Sequence, residues 1–328
     1  MTMRDLTPTQ FNLLDGWQRG FPLVTRPYAV VAGDVGLSEG ELLAELSRLL
    51  AMGAISRVGA TLRPNTAGAS LLAAMRVPSA RLDEVAEIVN AEPGVNHNYE
   101  REHALNLWFV VTGADTRATD AALARIRERS GLDIVELPLV RSYYIDLGFP
   151  LVRGALRAKP SADPARAAVA LDATDRALLH LLEPGLPLVP EPYGQLAARL
   201  GMSEADVIGR LERLVEASVI TRLGLIVRHR PLGFRANAMA VWDVSDDIVD
   251  EVGARLAAEP SVTLCYRRPR RGADWPYNLF CMVHGRERDA VTAIVADLTR
   301  IGGLDACRHA VLFSRRCFRQ RGASLRAA

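Results

Sequence analysis

The sequence predicts an α+β fold laid down twice in tandem. Each copy reads as a winged helix-turn-helix followed by a βαββαβ module. Two observations carry that reading. The first is an internal repeat: Gly20-Phe21-Pro22-Leu23-Val24 returns as Gly185-Leu186-Pro187-Leu188-Val189, and Pro27-Tyr28 as Pro192-Tyr193. Likewise Ile55-Ser56-Arg57-Val58-Gly59 returns as Ile220-Thr221-Arg222-Leu223-Gly224. A period near half the chain is too long for a solenoid and fits a domain-sized unit fused to its own copy. The second is the order of periodicities inside a copy, helical at first, then alternating between strand and helix.

Each copy opens on a helical pattern, with Phe11, Leu13, Leu14 and Trp17 in the first and Leu171, Leu178, Leu179 and Leu182 in the second. A proline-containing stretch leads to a short helix around Tyr28–Gly36. Ser38-Glu39-Gly40-Glu41 has the form of a capping box and opens a third helix carrying Leu42, Leu43, Leu46, Leu49 and Leu50. Its counterpart starts at Ser203 and carries Val207, Ile208, Leu211, Leu214 and Val215. A strand-like wing follows from Ile55. Strand 71–77, helix 82–90, strands 95–100 and 105–112, helix 114–129 and strand 134–144 then give the ferredoxin-like order. The second copy repeats it from about Ala236 to Arg316.

These patterns place the first winged helix at 1–66 and its βαββαβ module at 67–152. An Ala/Pro/Arg linker falls at 153–170, and the second pair at 171–231 and 232–328. A collinear repeat with a short linker predicts that the halves pack through their βαββαβ modules about a pseudo-twofold axis, sharing a sheet face or edge.

Hydrophobic residues at 49% and charged residues at 24% describe an ordinary globular chain of 328 residues, long enough for more than one core. A formal net charge of +2 argues against a blanket nucleic-acid coat. Lys159 is the single lysine, so nearly all the positive charge sits on arginine, whose planar fork suits carboxylates. Cys265, Cys281, Cys307 and Cys317 form no Cys-x-x-Cys pair, so no metal site is expected. With no apolar leader and no membrane-length stretch, the expected location is the cytoplasm.

A winged helix invites a DNA-binding reading, with the third helix in the major groove. The charges oppose it. Glu39, Glu41 and Glu45 outnumber Arg48 in the first third helix, and Glu204, Asp206, Glu212 and Glu216 outnumber Arg210 and Arg213 in the second. Phosphate neutralisation supplies most non-specific affinity, so acidic helices work against it. The basic residues lie elsewhere, in Cys265-Tyr266-Arg267-Arg268-Pro269-Arg270-Arg271 and in Arg228-His229-Arg230. The first copy has His97-Asn98-Tyr99-Glu100-Arg101 at the place of the former.

The winged helix plus βαββαβ plan resembles the Lrp/AsnC family of regulators over nearly the whole chain. Finer segments are similar to the siroheme decarboxylases, in their fused two-half form from heme d1 biosynthesis. They are Gly20-Phe21-Pro22-Leu23 with Pro27-Tyr28, then Val95–Arg101 and Asn106-Leu107-Trp108-Phe109. The second copy adds His229–Phe234 with Ala236–Trp242, Cys265–Arg268 and Tyr277-Asn278-Leu279-Phe280. By this resemblance the first half looks like the D-type subunit and the second like the L-type.

The resemblance implies removal of two acetate carboxyls from siroheme, at C12 and C18, to give 12,18-didecarboxysiroheme. It implies no cofactor, since the iron enters with the substrate. Loss of CO₂ from a pyrrole acetate needs an electron sink, which the macrocycle supplies, and a proton donor. His97 and His229, with Tyr99 and Tyr266, are the catalytic candidates. Arg57, Arg101, Arg222, Arg228, Arg230, Arg267, Arg268, Arg270 and Arg271 are the candidates for binding substrate carboxylates. The first half lacks the histidine found at His229, which suggests one competent site per chain or one built from both halves. A DNA-binding regulator and a tetrapyrrole sensor without turnover are the competing readings. Further pairing of two fused chains is left open.

Overall fold

The computed structural model describes residues 6–145, 148, 151, 169–228 and 230–322. His229, and all but the last two residues of the expected linker, lie outside the described residues. The first copy runs α1 (Pro8–Gly16), α2 (Pro27–Asp34), α3 (Glu39–Ala51), β1 (Ile55–Leu62), β2 (Ala69–Met75), α4 (Leu82–Ala91), β3 (Val95–Arg101), β4 (Leu107–Gly113), α5 (Thr116–Ser130), β5 (Ile134–Pro138) and β6 (Arg141–Ile145). The second runs α6 (Ala173–Leu181), α7 (Pro192–Leu200), α8 (Glu204–Glu216), β7 (Ile220–Val227), β8 (Ala236–Trp242), α9 (Val249–Ala258), β9 (Val262–Arg267), β10 (Leu279–Gly285), α10 (Arg288–Gly302) and β11 (His309–Gln320). The chain divides into two compact units, and each draws on both copies.

One unit gathers the two winged helices. Ser38 caps α3 through the expected box with Glu41, and Ser203 caps α8 by accepting from the Asp206 amide. The wings contact the third helices of their own copies. They pair with each other, β1 antiparallel to β7, with Gly59 opposite its own repeat equivalent Gly224. The repeated Gly-x-Pro-Leu-Val stretches cross over to complete this seam. Leu186 donates its amide to the Val58 carbonyl at 2.7 Å, and Phe21 donates to Leu223 at 3.1 Å. Tyr28 Oη donates to the Pro187 carbonyl at 3.0 Å, and Tyr193 Oη to that of Pro22 at 2.9 Å. Gly224 is required at the crossing, because a Cβ there would lie 2.5 Å from the Gln18 carbonyl carbon.

The other unit is built on a nine-stranded sheet of order β5-β2-β4-β3-β11-β8-β10-β9-β6. Each copy contributes a ferredoxin-like set, and the halves are joined by exchanged strand ends. The long β11 pairs with β8 over His309–Phe313 and with β3 of the other copy from Ser314 onward. The single strand expected over 134–144 is two strands. Pro138 ends β5, since it has no amide to continue the ladder, and β6 pairs instead with β9 of the other copy. Tyr143 secures that exchange, with its ring over Gly253 of α9 and its hydroxyl 2.5 Å from Asp250.

Period-two alternation sends each strand's side chains to two cores. Ala73 and Met75 of β2 face α4 and α5, where Val85, Val89, Leu123 and Ile126 are buried. Leu72 and Ala74 face the other way and join Trp108, Met239, Val241, Phe280 and Leu312 in a layer fed by both copies. A third core packs α9 and α10 on the second copy's strands. Among the described residues no helix is long and apolar enough to cross a membrane.

Candidate active site

The strand β3 carries His97, Tyr99 and Arg101 at alternate positions, hence on one face. Tyr99 lies opposite Trp108 in the register with β4, so that face looks into the shared layer rather than toward α4. The intervening Asn98 points the other way and donates to the Ala86 carbonyl at 3.2 Å. The His97 and Tyr99 rings stack at 6.2 Å with 26° between their planes, and both are half-buried. Arg101 lies deeper, with its guanidinium carbon 5.7 Å from the Tyr99 ring centre. Its Nη1 donates to the Leu312 carbonyl at 3.2 Å and to Ser314 Oγ at 3.0 Å.

The repeat places Leu264, Tyr266 and Arg268 of the second copy at the positions of His97, Tyr99 and Arg101. Here the tyrosine is core. Tyr266 is 6% exposed, stacks on Phe280 at 5.3 Å and carries Arg268 over its ring at 4.6 Å. Burial pushes the Tyr266 hydroxyl pKa up and that of the Arg268 guanidinium down. Arg268 donates to the Leu137 carbonyl, while its sealed Nε has no hydrogen-bond partner. It pairs with no carboxylate among the described residues.

The neighbouring arginines are engaged by acids. Arg267 meets Asp246 at 2.6 Å and Asp250 at 3.5 Å, and Arg270 meets Asp243 at 2.7 Å and Asp246 at 3.1 Å. These contacts hold the Asp246 and Asp250 carboxyls below the usual range. For Asp246 the hydrogen bond from Arg270 leads, and for Asp250 the hydrogen bond from Tyr143. Arg271 donates through Nε to the Glu136 carbonyl at 2.7 Å.

The remaining arginines belong to the winged-helix unit. Arg57 of β1 donates to the Ala60 carbonyl at 3.1 Å, and burial pushes its pKa down. Arg222 of β7 is buried and reaches Thr61 Oγ1 at 3.4 Å. Arg228 is exposed and Arg230 half-buried. A hollow of about 700 Å³ in this unit, between α6 and α8, holds none of the expected residues. Its floor is Asp175, which takes Arg210 at 2.8 Å and Arg213 at 2.5 Å.

Sequence reasoning passed over four features of the sheet unit. Asp243, Asp246 and Asp250 are the acids that hold the basic run. Ser314 contacts Arg101 from a strand of the opposite copy. Trp275 is fully buried and packs edge-on against Trp108 at 4.8 Å and His103 at 5.4 Å. Cys265 and Cys281 lie side by side on β9 and β10, with their sulfurs 3.4 Å apart. One signal was legible in advance: the connection 268–278 in the second copy is longer than its counterpart 102–106, and Trp275 lies in the extra length.

Residues 67–143 and 231–319 match the family model of the AsnC-like ligand binding domain. Residues 11–55 and 175–220 match that of the siroheme decarboxylase NirDL-like HTH domain. The chain is 49% identical to the siroheme decarboxylase NirDL subunit of Paracoccus denitrificans, an alignment covering 99% of this chain and 98% of that one. A crystal structure of the siroheme decarboxylase NirDL superposes with a TM-score of 0.69 at 30% identity, covering 96% of this chain and 94% of the other. A second, in complex with an iron-uroporphyrin III analogue, gives 0.67 at 30% identity over 94% and 91%.

Proposed function

The chain belongs to the siroheme decarboxylase family, and on that premise we propose that it is a carboxy-lyase converting siroheme to 12,18-didecarboxysiroheme. The observation that carries the residue assignment is the β3 face, where His97 stacks on Tyr99 and both rings stay half-buried. At each acetate arm the bond between the methylene carbon and the carboxylate carbon breaks. CO₂ leaves and the electron pair enters the macrocycle. His97 gives its proton to the methylene carbon, which becomes a methyl, and takes a new proton from solvent. Tyr99 orients the imidazole. His229 keeps the role of second donor that its motif suggests. Tyr266 stands behind Tyr99 in this reading, because its ring is sealed in the core.

Among the arginines of the sheet unit, Arg268 and Arg271 meet backbone carbonyls and pair with no acid among the described residues, and they are favoured as ligands of substrate carboxylates. No cofactor is required beyond the iron that arrives with the substrate. The reaction is placed in the cytoplasm. Acidic α3 and α8 support a protein that does not read DNA, and the two arginines of α8 are already held by Asp175.

The test is anaerobic incubation of the purified chain with siroheme, followed by mass analysis of the tetrapyrrole. Loss of two CO₂ per siroheme is the expected result. Siroheme recovered bound and intact would overturn the enzyme in favour of a tetrapyrrole-binding sensor.

A further inference from the structure

We propose that Arg101 is a positioning residue rather than a substrate ligand, and that Ser314 is the anchor through which it sets Tyr99 and His97. The proposal rests on the reading of His97 as the proton donor.

Arg101 is 8% exposed, and both its terminal nitrogens are engaged within the protein. Nη1 is shared between the Leu312 carbonyl at 3.2 Å and Ser314 Oγ at 3.0 Å, and Nη2 lies 3.9 Å from Met282 Sδ. All three partners belong to the second copy. The guanidinium plane therefore follows β11 and β10, not a ligand. On the other side Arg101 lies 5.7 Å from the Tyr99 ring centre, and Tyr99 lies 6.2 Å from His97. The contacts form one line from a strand of the second copy to the imidazole of the first.

The repeat supplies an internal control. Leu72 pairs with Leu137 and its equivalent Met239 pairs with Leu312, so Leu137 and Leu312 are equivalent. Arg268 donates to the Leu137 carbonyl as Arg101 does to that of Leu312. Two residues further on, the second-copy strand has Ser314 and the first-copy segment has Leu139. The histidine position is His97 on one side and Leu264 on the other. Thus the serine and the histidine occur together on one side, and leucines replace both on the other. A second acceptor fixes the rotation of a planar fork, and Arg101 finds it in the opposite copy, whereas Arg268 interacts with Tyr266 of its own strand.

The experiment compares Ser314→Ala, Ser314→Thr and Arg101→Met in the full chain. Turnover and siroheme affinity are measured separately, and the His97 imidazole resonances are read by NMR, assigned by their loss in His97→Gln. Ser314→Ala is expected to shift the His97 resonances and lower kcat by roughly tenfold, with siroheme affinity unchanged. Ser314→Thr, which keeps the hydroxyl, should restore both. Arg101→Met should lower kcat further, and Ser314→Ala keeps the test sound if Arg101→Met folds poorly. Unmoved His97 resonances in Ser314→Ala would overturn the proposal. So would a loss of affinity at constant kcat, which marks Arg101 as a substrate ligand. If the resonances shift but His97→Gln turns over at the parent rate, the positioning line stands and the assignment of His97 as proton donor fails.

Discussion

The β3 face and the β9 face occupy equivalent slots in the two copies, yet they have taken opposite courses. On β3, His97 and Tyr99 remain half-buried in a stacked pair. On β9, Leu264 replaces the histidine, Tyr266 is closed over by Phe280 and Arg268, and the long 268–278 connection drops Trp275 into the shared layer. The nearby charges differ too, since Arg267 and Arg270 are neutralised by three aspartates. Duplication gave the chain two copies of one slot. One is filled with apolar and aromatic groups, and the other keeps polar groups at a half-buried face.

The comparison breaks most decisively at His97. His97→Ala should cut single-turnover decarboxylation by about 10²–10⁴-fold while siroheme binding survives. Leu264→Ala should leave the rate near that of the parent. Equal rates for parent and His97→Ala would erase the functional distinction between the faces.

Stability should show the reverse order. Tyr266→Ala removes a ring from a filled core and should cost about 3–5 kcal/mol in urea unfolding, as large aromatic truncations do. Tyr99→Ala, at a half-buried position, should cost clearly less. A larger loss for Tyr99 would mean that the packing contrast has been misread.

Smaller effects sharpen the charge contrast. Arg267→Ala and Arg270→Ala remove cations already matched by Asp243, Asp246 and Asp250, so siroheme affinity should fall less than in Arg268→Ala. A charged hydrogen bond lost to substrate is worth roughly 1.5–3 kcal/mol, which calorimetric titration resolves. Equal losses at all three would show that the aspartates release their arginines on binding.

The smallest effect is in pH dependence. Burial, aided by Arg76, lowers the His103 pKa, and its Nδ1 accepts the Leu105 amide at 3.0 Å, so the folded protein holds the imidazole neutral. The unfolded chain takes up the proton first. His103 therefore favours folding above its unfolded value near pH ~6.5, and that contribution fades as pH falls toward its lower folded value. Asp246 and Asp250, also depressed, favour folding above their unfolded value near pH ~3.9 and lose that contribution as pH falls through their still lower folded values. Unfolding curves from pH 7 to 5 should flatten in His103→Gln and stay unchanged in Asp246→Asn.

The sequence by itself determined the repeat, the order of helices and strands, and the caps. Each of these is written within a few residues: Ser38 with Glu41, or the alternation of Ala73 and Met75 with Leu72 and Ala74. It also put His97, Tyr99 and Arg101 on one strand face, because period two follows from the backbone. The tertiary structure decided which strand met which. That β1 would seek β7, that β11 would run on from β8 to β3, and that the run to Tyr144 would break at Pro138 and cross to β9 all depend on partners in the opposite copy. The fate of the arginines was decided there as well. A basic run reads the same on paper whether its charges face a ligand or Asp243, Asp246 and Asp250. An ion pair forms over a few ångströms of space, and only folding brings residues so far apart in the chain that close.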